Sequence, residues 1–232
     1  MDIAVSYHES LTKLQALDWP QDGPFDRLEW FGLLGPVLAA MAERGDERVL
    51  LPLRREHEHL ASLTYWFSFS WRPLGRSQAL LTALARDLRR QAGRIVLAPV
   101  PGEDGSAEAL EQAFREAGWL VFRSTCDENH VLPVEGRSFA EYWAARPGKM
   151  RTTLKRKARK VEVKILTRFD EAAWADYQAV YAQSWKPREE RADILEAFAR
   201  AEGAAGRIRL GLAYAAGEPV AAQFWTVEGG TA

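Results

Sequence analysis

The chain has a single cysteine, Cys126. One thiol forms no internal disulfide and no thiolate metal cluster, and it suits a reducing compartment. Histidine is scarce as well, with four copies. No apolar run approaches the roughly 20 residues that a membrane span requires, so none is expected. The opening MDIAVSYHES has no basic segment followed by an apolar core, so no secretory signal is read there and the cytoplasm is the expected compartment. An excess of either charge is also missing. The 31 Lys and Arg residues against 32 Asp and Glu leave a net charge of -1. A general nucleic-acid or membrane binder is therefore not expected, and any such role must be local.

What is present is a globular composition. The 232 residues are 47% hydrophobic and 27% charged, enough for one large domain or two small ones. Nine tryptophans serve either a core or a groove for an extended ligand. After the turn-rich DWPQDGPFD, a short helix is predicted from Arg27 to Leu34. Strands are predicted at Arg48–Glu56, within His59–Trp71, at Arg94–Val100, Trp119–Thr125 and His130–Val134. Between them, Leu80, Leu81, Leu84 and Leu88 mark a helix capped by Ser77, and Ser106 opens another that closes at Gly118. This alternation is an α/β pattern.

The best boundary lies near Gly136, giving domains at 1–136 and 137–232. Beyond it, Ser138 and Glu141 form an S-x-x-E capping box. The segment KMRTTLKRKARKVEVK, Lys149 to Lys164, follows. Half of its 16 residues are basic and only Glu162 is acidic. Met150, Leu154, Ala158 and Val161 recur along one helical face, which predicts an amphipathic helix docked by that stripe. A strand is predicted at Val161–Thr167. Asp170 then caps a long helix with Trp174, Tyr177, Tyr181 and Trp185 near one face. Pro187 ends it, and a second helix runs from Arg188 to Glu202. Arg207–Ala215 and Val220–Val227 read as a hairpin across the turn AGEP.

This order, with the wording FAEYWAARPGKMRTTLKRKARKVE, the helix ending AQSWK (Ala182 to Lys186) and the hairpin GEPVAAQFWTVEGG, resembles the GNAT acyltransferase superfamily. Within it, the chain is most similar to the CelD-like, Fem-type branch. PLRRE, after RVLL, resembles an early strand of the first of the two GNAT-like domains that Fem-type proteins carry in tandem. The resemblance implies an α/β fold of tandem GNAT-like mixed sheets flanked by helices. The second domain is expected to be incomplete and the chain truncated, because it stops where β4 of that fold would begin. It also implies an N-acyltransferase moving an acyl group from acyl-CoA, acetyl-CoA first, to an amine of a small-molecule or envelope/polysaccharide-related acceptor. An aminoacyl-tRNA-dependent transferase and a non-catalytic anion-binding module are the alternatives. Family members hold the CoA pyrophosphate in a Q/R-x-x-G-x-G/A turn at a helix N-terminus, and no such turn is read here. The catalytic residues are therefore unknown.

Candidate contacts remain. Trp185 and Lys186 are candidate substrate-groove residues by the family pattern, against a core Trp with a cation at a helix C-terminus. Gln223, between small neighbours in the hairpin, is a candidate acceptor contact. Lys149, Arg151, Lys155, Arg156, Lys157 and Arg159 are candidate anion-binding residues, although a charge run most often simply faces water. They make tRNA a conceivable partner, but no aromatics are interleaved for base stacking. Tyr142 and Trp143 are expected to pack under the basic helix. His57 and His59 share a face if REHEH is a strand, but no third ligand accompanies them, so no metal is expected. Cys126, with Asp127 and His130 close in sequence, is read as structural, because catalytic geometry is spatial.

Overall fold

The computed structural model describes residues 2–21, 23–128 and 130–232. Met1, Asp22 and Asn129 lie outside them, so the stretch DWPQDGPFD is described except for Asp22. The architecture is mixed α/β, with one five-stranded and one three-stranded sheet flanked by helices. The chain divides into two units, Met1–Asp127 and Glu128–Ala232.

The first unit is built on β1 (Ala4–His8), β2 (Leu38–Arg44), β3 (Glu47–Glu56), β4 (His59–Ser62) and β5 (Ile95–Val96), in that spatial order. The first four pair antiparallel and β5 joins β4 in parallel. A parallel step needs a crossover, and α2 (Gln78–Leu88) lies between those strands in sequence. Leu80, Leu81, Leu84 and Leu88 on α2 are buried with Leu50, Leu51, Leu53 and Leu60. Before β2 come a 3-10 turn at Leu14–Ala16 and α1 (Leu28–Leu33); after β5 comes α3 (Ser106–Glu116).

β1 and β2 were not read from the sequence. β2 is LAAMAER, a run of helix formers, and its residues 38–42 are buried between β1 and β3. Of Arg94–Val100 only Ile95 and Val96 pair. Trp119–Thr125 and His130–Val134 form no strand among the described residues; Leu120, Phe122 and Val131 are exposed. Their alternation is strand-like, but no neighbouring ladder receives them. Ser106 is the first residue of α3 rather than its cap, the cap being Gly105 at φ +80.

The second unit contains α4 (Phe139–Ala144), α5 (Gly148–Ala158), β6 (Glu162–Leu166), α6 (Glu171–Ala182), α7 (Ala192–Ala204), β7 (Ile208–Ala215) and β8 (Glu218–Thr226). The sheet order is β6-β7-β8, all antiparallel. Here the local signals hold. The Ser138–Glu141 capping box is formed in both directions. The Asp170 carboxylate accepts from Ala173 N at 2.9 Å and starts α6. One face of the sheet, with Leu210 and Leu212, packs on Ala173 and Trp174 of α6 and Ala199 of α7. Phe169 approaches the backbone at Gly203, where a Cβ would lie 2.6 Å from Phe169 N. The basic helix forms as α5, but none of its residues is buried, and Met150 and Leu154 are half exposed. The docked stripe expected from periodicity is thus a solvent-facing one.

Candidate functional site

Helical spacing places Trp174, Tyr177 and Tyr181 along one side of α6. They form a ladder of rings. Trp174 and Tyr177 stack with centroids 4.7 Å apart at 20°, and Tyr177 and Tyr181 follow at 6.3 Å and 30°. Phe224 of β8 meets Trp174 edge-on at 5.6 Å. Such pairs add about 0.5–1.5 kcal/mol beyond their buried area and fix ring orientation. The buried end of the ladder, Trp174, is anchored in the core. The other end opens into a cleft of about 470 Å³ between the C-terminal half of α6, the loop after it and the start of α7.

The loop brings charge to the cleft. Lys186, Arg188 and Glu189 line it beside Gln178 and Leu195. The Tyr181 hydroxyl donates to the Pro187 carbonyl at 3.2 Å, and the Lys186 ammonium sits 5.9 Å from the Tyr181 ring centroid. Burial pushes the Tyr177 phenol up to about 12, with smaller contributions from Tyr181 and the Glu189 carboxylate. Tyr181 is raised by the same two kinds of cause, burial first and then Glu189. Both phenols therefore stay neutral at physiological pH, as hydrogen-bonding groups rather than proton-abstracting ones.

The structure separates the three candidate substrate contacts. Lys186 lines the cleft. Trp185 is 90% exposed and is not among the lining residues. The helix ends at Ala182, with Gln183 as its C-cap, so position 185 has left the face occupied by 174, 177 and 181. Gln223 lies on β8 between Ala222 and Phe224, which pack on the core. Strand alternation therefore points it to the opposite face of the sheet. There it is exposed and accepts from Trp225 Nε1 at 3.4 Å. The aromatic face of α6 was legible in the sequence; Arg188 and Glu189 were missed, because nothing in a polar loop marks which charges turn inward.

The six candidate anion contacts, Lys149, Arg151, Lys155, Arg156, Lys157 and Arg159, are exposed on or directly after α5. Tyr142 of α4 lies under the Arg146 guanidinium, 4.5 Å from it, and Trp143 stacks on Phe139. His57 falls in the β3–β4 turn at φ +41, while His59 opens β4 and pairs with Glu56 at 3.2 Å. They do not share a strand face. No His, Cys, Asp or Glu cluster suited to a metal occurs among the described residues. Cys126 is exposed.

Residues 148–232 match the family model described as Acetyltransferase (GNAT) domain. This supports the GNAT superfamily, and at family level an acyltransferase. The match covers α5 through β8 and so contains the aromatic cleft. No curated protein matches the chain, and no solved structure does.

GNAT domains generally use acetyl-CoA or another acyl-CoA, and a CoA pyrophosphate needs free backbone N–H groups at a helix N-terminus. In the second unit, the N-termini of α4 and α6 are occupied by their own carboxylates, Glu141 and Asp170, and the first turn of α7 carries Asp193. In the first unit, RPLGRS (Arg72 to Ser77) has the R-x-x-G-x form and leads into α2, but Ser77 stands where the family turn has Gly or Ala. Its backbone is otherwise engaged. Leu74 exchanges both hydrogen bonds with Leu50, and a Cβ at Gly75 would lie 2.1 Å from the Arg48 carbonyl oxygen. Arg72 is clamped by Asp26 at 2.7 Å and Asp104 at 3.1 Å. Those two carboxylates, lining a cavity of about 100 Å³, repel a phosphate. These termini and RPLGRS do not fit the pyrophosphate, whereas the N-terminus of α5 carries neither a capping side chain nor an acid in its first turn.

Proposed function

We propose that the chain acts in N-acyl transfer and that the α6–α7 cleft holds the amine acceptor. The observation that carries this reading is the cleft itself, which lies inside the GNAT match. Its floor is a stacked aromatic ladder and its rim carries both signs of charge. Aromatic faces bind the apolar side of a sugar or an aliphatic amine, and a cationic amine gains from the same faces and from Glu189. Lys186 and Arg188 suit an anionic group elsewhere on the acceptor. Tyr177 and Tyr181, neutral, orient the acceptor by hydrogen bonding. The acceptor class is an amine on a small molecule or on an envelope- or polysaccharide-related precursor. The donor is acyl-CoA, acetyl-CoA first, which would supply the acyl group as its thioester.

The reading extends to the first unit. Its β1-to-β5 order, antiparallel with one parallel step at β4–β5 after an intervening helix, supports a tandem GNAT-like arrangement of the CelD-like, Fem-type kind. The test is acylation of a panel of amino sugars, amino acids and alkyl amines by the full chain with acetyl-CoA, followed by mass spectrometry. An N-acetylated product that weakens in Tyr181→Ala and Lys186→Ala but not in Trp185→Ala is expected. Product formation indifferent to Tyr181 and Lys186 would place the acceptor elsewhere.

A further inference from the structure

The charge of α5 stands apart from the rest of the molecule. Lys149, Arg151, Lys155, Arg156, Lys157, Arg159 and Lys160 are all exposed. Among the described residues none of these seven side chains has an ion-pair, hydrogen-bond or ring partner. The nearby acids are engaged elsewhere: Glu141 in the capping box and Glu162 with Lys164 at 3.6 Å. A protein of net charge -1 thus concentrates unpaired positive charge on one short helix and the two residues after it. The same helix exposes an apolar stripe. Met150, Leu154 and Ala158 stand four residues apart, and Met150 and Leu154 are each 50% exposed.

Those two observations together select the partner. A phosphate backbone would use the cations and gain nothing from the stripe. No aromatic side chain within 149–160 offers a base-stacking platform. An anionic bilayer uses both, with headgroup phosphates on the Lys and Arg side and the acyl boundary on the Met and Leu side. We propose that α5 docks this protein reversibly on an anionic lipid surface, lying in the interface without crossing the membrane. No helix among the described residues is long and apolar enough to cross. Eleven residues with two half-exposed apolar side chains make a weak anchor, so binding depends on salt and on lipid charge.

The test uses the full chain in co-sedimentation with vesicles of mixed phosphatidylglycerol and phosphatidylcholine, against pure phosphatidylcholine. Sedimentation with the mixed vesicles alone, falling steeply with added salt, is expected. Met150→Asp with Leu154→Asp changes two solvent-facing residues and lowers the partition coefficient roughly ten-fold or more, and Lys155→Ala with Arg156→Ala and Lys157→Ala lowers it by up to about a hundred-fold. A parallel titration with tRNA keeps the occupants apart. Tight tRNA binding without vesicle partition overturns the proposal. So does vesicle binding that the Met150→Asp, Leu154→Asp variant leaves unchanged, and so does self-association through the stripe with no vesicle binding. The readout needs no acyl transfer, so its failure is separate from failure of the acyltransferase reading.

Discussion

Tyr181 is the residue on which the cleft turns, because its ring is the solvent end of a ladder that begins in the core at Trp174. Removing it takes away the cleft-facing ring and leaves the buried one in place, so on the proposed function Tyr181→Ala is expected to weaken acceptor binding with little change in stability. Tyr214 makes a second residue-level case. Its hydroxyl donates to Asp176 at 2.6 Å, and that bond, ahead of burial, pushes the phenol up to about 12, as burial does for Tyr177. An unfolded tyrosine releases its proton near 10. Between pH 10 and about 12 the unfolded chain therefore holds fewer protons than the folded one, and stability falls as pH rises. Their contribution is complete below pH 10 and is lost on passing through about 12. Urea unfolding from pH 9 to 12 checks this, and Tyr214→Phe should flatten part of the fall. At neutral pH the same variant costs about 1 kcal/mol for the lost hydrogen bond. At this scale the sequence was partly legible: the ring spacing on α6 could be read, but Trp185 was grouped with it because nothing local says that the helix stops at Ala182.

Element by element, legibility follows how local the cause is. Asp170, the Ser138–Glu141 box and the β7–β8 hairpin are specified by neighbours a few residues away, and the structure forms all three. β2 is specified by partners far along the chain, β1 and β3, which override the helix propensity of its alanines. The unpaired 119–125 and 130–134 segments show the converse, a strand pattern without a ladder. Two predictions belong here. Asp170→Ala removes the cap of α6 and should cost about 1 kcal/mol in urea unfolding. Gly203→Ala, inside α7, would normally gain helix propensity. Here the new Cβ meets Phe169, 2.6 Å from its N and 2.8 Å from its Cβ, so a net loss of about 1–3 kcal/mol is expected. A stabilised variant would contradict the packing described for α7.

Across the whole molecule, the two units carry different burdens. Most of the buried apolar residues lie before Asp127, in the five-stranded unit, whereas the cleft and the cationic helix lie in the second, whose sheet rests on a smaller core. Burial scales with stability, so denaturation should lose the second unit first, with near-UV dichroism from Trp174 and its ring neighbours fading before that of Trp30 and Trp71. The functional claim also rests at this scale, since the family match spans the second unit from α5 onward, and the proposed acceptor site is a cleft assembled from α6, a loop and α7. That claim is tested most directly by calorimetric titration of amine acceptors, amino sugars and amino acids first, into the intact chain and into Tyr181→Ala. The account predicts saturable binding of an amine by the intact chain, weakened roughly ten-fold or more in the variant by loss of one stacking face and its orientation. Equal affinity in both proteins, or binding that ignores the amine, would contradict it.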